Sequence, residues 1–473
     1  MTVKTKDHSY VFQRKISDKG LLCVGSKGDG MYIILEDPKT RERKVLMDGI
    51  SGAAVCSLGH NDPEIIDQLS DFARESAYTF GGHYGNYSAE NLSKFLCDKS
   101  KGLFSSCLWT GSGSEANENA MKIMRQYHLE RGDPNRYKFI SRKQSYHGFT
   151  IGSLSLGDCA RKPPFKPILL SDECTPKIAQ CYPYRGIKSG MTEEDYTNEL
   201  LANAEKVFIE NDPSTIAGVV VETVGGSTMG TPTPPKGYLD GLREITHKYG
   251  ALFMCDEVMC GLGRCGYPFT FLHPEFGLSS GGPDLITVGK TIGSGIVTLA
   301  GVMISPKVVD AFEEGSNLIV GAQTYHCHAL NCRVGLAVQQ KIYRDNLIEN
   351  VRILGDKMKA DLKEQLKDCK VAGDVRGAGN FLTVEAVKDR ESKEPFDHKF
   401  NIGSVMEQKC FDKGLIVMGA SGTIGNEQVN DNEVIGYGDH CTIGPAFTFT
   451  EGQANFMVKT IVETFKEIER EYL

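Results

Sequence analysis

The chain of 473 residues lacks a long apolar run, and its longest uncharged stretch, residues 291–306, is interrupted by glycines. That stretch is shorter than the ~20 apolar residues that a helix needs to cross a membrane. The first ten residues carry charges and no apolar core, so we expect no secretory signal. A basic excess is also absent, since 53 basic and 61 acidic side chains give a net charge of −8. We therefore expect no binding to nucleic acid or to an anionic membrane.

Paired cysteine motifs are missing as well, because none of the 15 cysteines forms a Cys-x-x-Cys motif and their number is odd. A chain of this length buries enough core without disulfides. We therefore expect reduced, mostly buried thiols and a cytoplasmic location. A cluster of His326, Cys327, His328 and Cys332 lacks a second pair at zinc-ligand spacing, so a structural or subunit-contact role is favoured and no metal is expected.

Glycine, by contrast, is abundant: its 52 residues are about 11 % of the chain, against a typical ~7 %. Without a repeat period, this excess indicates many tight turns and close backbone approaches. The shares of apolar (40 %) and charged (24 %) residues are typical of a globular protein and exclude disorder.

Short apolar runs alternate with amphipathic helical patterns in the middle of the chain, which is typical of a parallel sheet covered by helices. Three of these runs are predicted as buried strands: Ile216–Val221, Ala251–Cys255 and Leu285–Val288. Glu222, Asp256 and Lys290 each lie at or just past the carboxyl end of one of them. Ligands of open α/β sheets bind at that edge, so these three residues predict a binding site.

A glycine-serine turn at Gly113 and Ser114 precedes a predicted helix. Free backbone N–H groups and the positive end of the helix dipole at such a turn suit a phosphate group. Ser114 is explained equally well as the N-cap of this helix, and the two roles are compatible.

Two glycine motifs resemble nucleotide-binding loops without meeting their structural requirements. Gly261–Gly266 matches the pattern GxGxxG, but Pro268 lies where the helix of a dinucleotide-binding unit should begin. The segment around Lys290 ends like a phosphate-binding P-loop, yet Asp284 occupies the position of its first glycine. A nucleotide site is therefore disfavoured at both places.

The ordered set of motifs makes the chain similar to the class III aminotransferases, which are pyridoxal-phosphate enzymes of fold type I. The matching pieces are Leu58–His60 with Asp62 and Pro63, Gly111–Asn117, Tyr146–Gly148, Glu222, Asp256–Val258, Gly263 and Arg264, Gly289 and Lys290, Thr324, and Val375–Gly379. Each piece alone is weak, but the series follows the family order over nearly the whole chain.

The resemblance implies an α/β fold with a mostly parallel seven-stranded sheet flanked by helices, and a smaller α+β domain built from both chain ends. We expect residues 1–65 to contribute to the small domain, residues 66–333 to form the large cofactor-binding domain, and residues 334–473 to form the rest of the small domain. Residues 419–438, which are rich in glycine, asparagine and charge, are predicted as a long surface loop.

The resemblance also implies the roles of the site residues. Lys290 would bind the cofactor aldehyde and move the substrate proton, which requires a lysine with a lowered pKa. Asp256 would pair with the pyridine nitrogen and keep it protonated, so that the ring acts as an electron sink. The further cofactor-binding residues are Gly113 and Ser114 at the phosphate, Tyr146 and Val258 on the ring faces, Glu222 on the oxygen side of the ring, His147, and Thr324 from the partner subunit.

The substrate side departs from the family pattern. Ser227 replaces a second glutamate that pairs with the arginine aligned to Arg376 in ornithine- and 4-aminobutyrate-type enzymes. Arg376 suits a substrate carboxylate, because its planar fork matches that group, but a salt bridge at the domain junction explains it equally well. Phe80 and Tyr84 are expected to form an apolar mouth to the substrate site.

These features predict a homodimeric aminotransferase that moves an amino group from an amine or amino acid to a 2-oxo acid by a ping-pong mechanism. Another reaction on the same cofactor, such as that of an aminomutase, a lyase or a decarboxylase, is the nearest alternative. A nucleotide-dependent oxidoreductase built around Gly261–Gly266, or a non-catalytic binding protein, is the alternative from a different class.

Overall fold

The structure is a computed structural model that describes residues 9–12, 18–28, 30–422, 425–430 and 433–473, with only the backbone of residues 425–430 and 433–436. The strands are β1 Leu22–Lys27, β2 Tyr32–Glu36, β3 Arg43–Asp48, β4 Ser106–Thr110, β5 Lys138–Arg142, β6 Lys177–Ile178, β7 Ile216–Glu222, β8 Leu252–Glu257, β9 Leu285–Val288, β10 Ala300–Ile304, β11 Ala372–Ala378, β12 Phe381–Ala386, β13 Leu415–Ile416, β14 Met418–Ala420, β15 Gly425–Asn430, β16 Glu433–Tyr437 and β17 His440–Ile443.

The helices are α1 Ser51–Ala54, α2 Pro63–Glu75, α3 Tyr87–Lys99, α4 Gly113–Glu130, α5 Ile151–Leu156, α6 Pro183–Gly186, α7 Glu193–Glu210, α8 Tyr238–Lys248, α9 Pro306–Glu314, α10 Ala329–Arg344, α11 Leu347–Gln365, α12 Ile402–Asp412 and α13 Glu451–Tyr472. Short 3-10 turns lie at Pro163–Ile168, Pro213–Thr215, Thr270–Leu272, Lys290–Ile292 and His398–Phe400. Within the described parts of the chain, no helix is both long and apolar enough to cross a membrane.

The largest sheet has seven strands in the order β4-β10-β9-β8-β7-β5-β6. Its strands are parallel except β10, which runs antiparallel to both of its neighbours. The predicted mostly parallel seven-stranded sheet is therefore confirmed. Because β7 and β8 pair with Glu222 opposite Asp256, the carboxyl ends of these strands meet at one edge of the sheet.

Both faces of this sheet are covered, which is why its strands are almost continuously apolar. On one face α4 packs across β9 and β10 through an apolar stripe that includes Ala116, Ala120 and Met124. On the other face the strand residues join a core with α7 and α8, to which Phe253 and Leu239 belong. Side chains of this size stabilise a fold by roughly 1.5–3 kcal/mol each when they are fully buried.

Residues from both chain ends build two smaller sheets. The N-terminal strands form the order β1-β2-β3-β13, in which β13 near the C-terminus pairs parallel to β3 with Leu415 opposite Met47. The second sheet has the order β11-β12-β17-β14 and packs against α11 and α12. The smaller sheet region that the resemblance implied is thus present, whereas the domain boundaries stay a prediction.

The predicted long loop at residues 419–438 is wrong. The strands β15 and β16 in this region pair antiparallel from Gly425 opposite Tyr437 to Asn430 opposite Glu433. Backbone N–H and C=O groups form such a ladder, so a segment rich in glycine and asparagine can adopt it.

Candidate active site

A cavity of about 180 Å³ lies at the carboxyl ends of the parallel strands. Its lining consists of Gly113, Ser114, Asn117, Tyr146, His147, Gly148, Glu222, Val224, Ser227, Asp256, Val258, Met259, Cys260 and Lys290. All the residues predicted from the sequence to bind the cofactor line it, except Thr324. The fold therefore brings together side chains that are up to 177 positions apart, from Gly113 to Lys290.

The carboxylate of Asp256 is held in one orientation by three contacts. Its Oδ2 accepts a hydrogen bond from Asn117 Nδ2 at 2.9 Å and lies 2.8 Å from His147 Nδ1. Its Oδ1 accepts from the backbone N–H of Val258 at 3.0 Å. Thr287 Oγ1 in turn donates to Asn117 Oδ1 at 3.0 Å, which fixes the amide. Asp256 is only 5 % exposed, so its charge is confined to this network.

Asn117 and Thr287 belong to the hydrogen-bond network around Asp256, and the sequence analysis assigned neither of them to the site. Asn117 lies at the end of the family-matching segment Gly111–Asn117. It is on the second turn of α4, and its side chain is buried on the side of the helix that faces the sheet. Thr287 lies inside β9, opposite Asp256 in the strand pairing. No motif in the sequence marks it, and only the register of the two strands places it beside Asp256.

Glu222 lies beside Asp256 at the same sheet edge. Its Oε2 accepts from the backbone N–H of Tyr146 at 3.2 Å, and its Oε1 accepts from that of Gly226 at 2.8 Å. Burial raises the pKa of the Glu222 carboxyl above its ordinary value, against the opposing effects of His147 and Arg142.

The amine of Lys290 is prepared for nucleophilic chemistry. Its Nζ donates a hydrogen bond to the carbonyl of Ala53 at 3.0 Å. Burial lowers the pKa of Lys290 to about 8, although Asp256 and Glu222 favour the charged form. Its backbone has φ of +45°, a left-handed conformation that a side chain rarely adopts. The tight bend after β9 therefore stores strain at a functional position.

Helix α4 begins two residues earlier than the sequence predicted. Its N-cap is Ser112, whose Oγ accepts from the backbone N–H of Glu115 at 3.3 Å. The proposed N-cap role of Ser114 is therefore wrong, because Ser114 is already inside the first turn. Its hydroxyl instead accepts from the backbone N–H of Phe149 at 3.0 Å.

Two glycines keep the N-terminus of α4 open. A Cβ on Gly113 would lie 2.6 Å from Val258 Cγ1, and one on Gly148 would lie 2.6 Å from Ser114 Oγ. Gly148 also has φ of +135°, which excludes most side chains. The free N–H groups at this helix end therefore face a space that a phosphate group fits.

Tyr146 forms part of the cavity wall and is half-buried. The guanidinium carbon of Arg161 lies 4.9 Å from the centre of its ring, a cation–π contact that the sequence did not indicate. Burial raises the pKa of the Tyr146 hydroxyl. The ring is therefore neutral and has one side occupied.

Besides Arg376, three predicted residues lie outside the cavity of their own chain. Thr324 is exposed, and its carbonyl accepts from Tyr78 Oη at 2.9 Å. Phe80 and Tyr84 are 41 % and 73 % exposed. They follow Tyr78 closely in the chain, and Tyr78 contacts Thr324 through the hydrogen bond just described. These three residues thus share one surface, and their roles stay predictions.

The guanidinium group of Arg376 forms hydrogen bonds and ion pairs with other residues of the chain. Its Nε donates to Gly230 O at 2.6 Å and its Nη2 to Met229 O at 2.7 Å. Its Nη1 reaches Asp374 Oδ2 at 3.1 Å and Glu385 Oε2 at 2.8 Å. These four contacts use most of the five N–H donors of a guanidinium. Of the two roles open for Arg376, they support the salt bridge at the junction.

Glu385 is the centre of that junction and was missed by the sequence reasoning. Arg185 donates to its Oε1 from Nε at 3.0 Å and from Nη2 at 2.8 Å, and Tyr182 Oη donates to its other oxygen. Since β12 carries Glu385 and α6 carries Arg185, the network ties the smaller sheet region to the larger one. A single acidic residue inside an apolar strand gives no sequence signal for such partners.

The glycine motif Gly261–Gly266 does not form a nucleotide loop. It follows β8, but the structure continues as turns up to the 3-10 turn Thr270–Leu272, so no helix begins at the motif. Arg264 in its centre is fully buried and donates to Asn380 Oδ1 at 3.2 Å. The motif serves packing between segments of the chain.

Comparisons with known proteins agree with this site. The family model for class-III aminotransferases matches residues 14–431. A Gibberella zeae protein named aminotransferase is 35 % identical over 424 residues, which cover 89 % of this chain and 80 % of that protein. A Schizosaccharomyces pombe protein named as an uncharacterized aminotransferase is 30 % identical over 462 residues, covering 98 % of this chain and 96 % of that protein.

The similarity extends to solved structures. An amine transaminase from an uncultivated Pseudomonas species, described as bound to pyridoxal phosphate, superposes with a TM-score of 0.83 at 26 % identity and covers 95 % of both chains. The chain therefore belongs to the class-III aminotransferase family. It is a pyridoxal-phosphate-dependent aminotransferase of fold type I.

The residues of the cavity fit this cofactor. Within the described part of the chain, two buried polar atoms of its wall, His147 Nε2 and Ser227 Oγ, have no hydrogen-bond partner. An anion-binding helix end, a fixed carboxylate at Asp256 and an amine at Lys290 lie around the same space. Each polar part of pyridoxal phosphate thus has a complementary group.

Proposed function

We propose that this cavity binds pyridoxal phosphate and that its residues carry the roles that the family resemblance implies. The observation that carries the proposal is the convergence of Lys290, the Asp256 carboxylate and the N-terminus of α4 on one cavity. Gly113 and Ser114 would bind the phosphate, and Tyr146 and Val258 would contact the ring faces. Glu222 and His147 would hydrogen-bond to the remaining polar atoms.

When bound, the cofactor supplies an electron sink that accepts the electron pair of the substrate C–H bond. Asp256 holds a proton on the pyridine nitrogen, and Asn117 keeps its carboxylate oriented for this contact. Lys290 Nζ accepts the substrate proton and returns it, because a pKa of about 8 leaves a useful neutral fraction near neutral pH. The buried walls exclude water from these transfers.

The reaction moves an amino group from an amine or amino acid to a 2-oxo acid in two half-reactions, and the donor product leaves before the acceptor binds. This cycle predicts that an amine donor alone shifts the absorbance of the bound cofactor stoichiometrically. Addition of a 2-oxo acid should then restore the starting spectrum. A lyase would not give this reversible change.

Covalent attachment at Lys290 is tested by borohydride reduction of the holoenzyme followed by peptide mapping. We expect the cofactor mass on Lys290 only, and Lys290→Ala should abolish it. Lys177 is an internal control, because burial lowers its pKa to about 7 while its Nζ is bound to Ser141 Oγ at 2.8 Å, outside the cavity. Labelling at Lys177, or no labelling at all, would refute the proposed site.

We also propose a homodimer with active sites at the interface. The surface near the cavity carries a group of exposed apolar side chains: Tyr78, Phe149, Ile151, Leu170, Leu318, Ile319, Val320 and Tyr325. An open groove of about 690 Å³ runs through this region. Contiguous apolar surface of this kind is typical of protein–protein contacts. Thr324 lies on the same surface, where it would reach the phosphate of the partner's site.

Mixing inactive subunits tests this arrangement. Lys290→Ala and Thr324→Asp should each be inactive as pure dimers. If Thr324 serves the partner's site, each mixed dimer contains one intact site, so random mixing should restore about a quarter of the wild-type activity. No recovery, combined with a monomeric mass in light scattering, would refute the shared site.

We further propose a cytoplasmic location. The structure describes all 15 cysteines, and each is a free thiol. Such a thiol content suits a reducing compartment. Cell fractionation should place the enzyme with cytoplasmic markers, and recovery with secreted proteins would contradict the proposal.

A further inference from the structure

Cys56, His60 and Asp48 form a connected chain of side chains next to the active site. His60 Nε2 lies 2.7 Å from Asp48 Oδ2, and His60 Nδ1 lies 3.7 Å from Cys56 Sγ. The Asp48 carboxylate is fixed by the backbone N–H groups of Ile50 at 3.1 Å and Gly52 at 2.7 Å. A thiol, an imidazole and an orienting acid thus occur in the order that activates a nucleophile.

Two cationic groups lie close to the sulfur of Cys56. The hydrogen bond to Asp48, and next the contact with Cys56, raise the pKa of His60 to about 10, so the imidazole is charged at neutral pH. Arg264 is a second cation close to Cys56 and Asp48. Burial lowers its pKa to about 10, and within the described residues its Nε and Nη2 have no hydrogen-bond partner. Two cations therefore face Cys56, whereas the charge of Asp48 is shared with His60.

A metal does not explain this cluster. Asp48 and Cys56 contact opposite ring nitrogens of His60, so one ion cannot replace both contacts. Within the described parts of the chain, no three side chains of the metal-ligating types lie together at ligand distances.

We propose that Cys56 is a covalent modification site, at which the sulfur beside the His60 imidazole reacts with small, uncharged, soft electrophiles. The thiol proton passes to solvent and His60 keeps its own. With a haloacetamide, the sulfur lone pair forms an S–C bond while the carbon–halogen bond breaks and halide leaves. Cys56 is half-buried rather than fully enclosed.

The sulfur packs against the turn that carries Lys290. A Cβ on Gly295 would lie 3.0 Å from Cys56 Sγ, so the sulfur already fills the space beside that glycine. Ser57 Oγ donates to Thr291 O at 3.0 Å, and the backbone N–H of Leu58 donates to Ser294 Oγ at 2.9 Å. An adduct on Cys56 must therefore displace the segment that follows Lys290. Modified enzyme should lose activity, and this consequence, unlike the modification itself, rests on the proposed function of Lys290.

The modification is tested by treating the holoenzyme with iodoacetamide and measuring peptide alkylation by mass spectrometry. Cys23, an exposed thiol, is the internal reference. At pH 6.5 we expect Cys56 to react at least about tenfold faster than Cys23, because a neighbouring cationic imidazole increases the reactivity of a thiol. A Cys56 rate that is equal to that of Cys23, or slower, would overturn the proposal.

Variants separate activation from inhibition. His60→Asn should slow alkylation of Cys56 about tenfold or more without changing that of Cys23. If His60→Asn does not fold, the comparison of Cys56 with Cys23 in the wild-type enzyme decides. Cys56→Ser should stay active and resist inactivation by iodoacetamide. Wild-type enzyme that is fully alkylated at Cys56 yet fully active would refute the inhibitory consequence, whereas loss of the borohydride label at Lys290 in untreated enzyme would refute the proposed function.

Discussion

At the scale of single residues, Asp256 shows how a strand-end acid becomes a defined chemical group. Its two oxygens are divided among an amide, an imidazole and a backbone N–H. Three contacts leave the carboxylate one orientation, so its charge acts at one point of the cavity. A solvated acid after a strand would lack this preorganisation.

Asp256→Asn should lower kcat by about a hundredfold or more, since a neutral amide cannot keep the pyridine nitrogen protonated. Asp284 is a matched control, because it is also buried and its Oδ2 lies 2.8 Å from His247 Nε2, but at the other end of the sheet. Asp284→Asn should lower stability and leave the cofactor spectrum unchanged. Steady-state kinetics and absorbance spectra measure both effects; equal kinetic losses in the two variants would contradict the role of Asp256.

The lowered pKa of Lys290 predicts how cofactor capture depends on pH. Only the neutral amine attacks an aldehyde, so the capture rate of the apoenzyme should rise about tenfold per pH unit up to the pKa. It should level off near pH 8, where the pKa of Lys290 lies. Stopped-flow absorbance gives this profile. A rate that keeps rising toward pH 10, as for an exposed lysine, would show that burial does not lower the pKa of this amine.

At the scale of secondary-structure elements, the turn between β4 and α4 divides two tasks between two serines. Ser112 caps the helix, and Ser114 lies inside the first turn beside the cavity. The sequence predicted a serine cap and a phosphate site in this turn. It assigned the cap to the wrong serine, because local sequence does not determine which residue of Gly-Ser-Gly-Ser leaves the helical conformation.

The two serines should respond differently to alanine. Ser112→Ala should cost ~1 kcal/mol of stability through loss of the cap. Ser114→Ala should change stability less and weaken cofactor binding about tenfold, the effect of one hydrogen bond to a charged group. Denaturation midpoints and cofactor titration of the apoenzyme measure the two effects. The reverse pattern would show that Ser114, and not Ser112, is the N-cap of α4.

At the scale of the whole molecule, Glu385 joins the two sheet regions through Arg376 and Arg185. Glu385→Gln should destabilise the protein by roughly 3–5 kcal/mol, because it removes the buried counter-charge that the guanidinium groups of Arg376 and Arg185 share. The exposed pair Lys388–Glu394 on the next connection is a control, and Glu394→Gln should cost less than about 1 kcal/mol. A Glu385→Gln enzyme of normal stability with a raised KM for the 2-oxo acid would instead show that Arg376 binds substrate.

The same junction predicts a pH dependence. Burial raises the pKa of Glu385, but the guanidinium groups of Arg376 and Arg185 lower it more, so the folded value lies below the ordinary one. A lowered pKa adds stability above the unfolded value that is lost as pH falls through the folded value. The stability difference between wild type and Glu385→Gln should therefore shrink below about pH 4. Urea denaturation at several pH values checks this, and a constant difference would contradict it.

The sequence by itself indicated the family, through the resemblance of its ordered motifs, and the strand ends, through its apolar runs, because both are local features of the chain. The parallel sheet at Glu222, Asp256 and Lys290 followed from that pattern. Only the tertiary structure decided what each charge contacts. The sequence leaves a substrate carboxylate and a salt bridge open for Arg376, and the structure places Glu385 beside it. Likewise, the sequence does not distinguish Cys56 from the other cysteines, and the structure places His60 and Asp48 next to it. Contacts between residues distant in the chain depend on how the elements pack, and a local sequence pattern does not determine that packing.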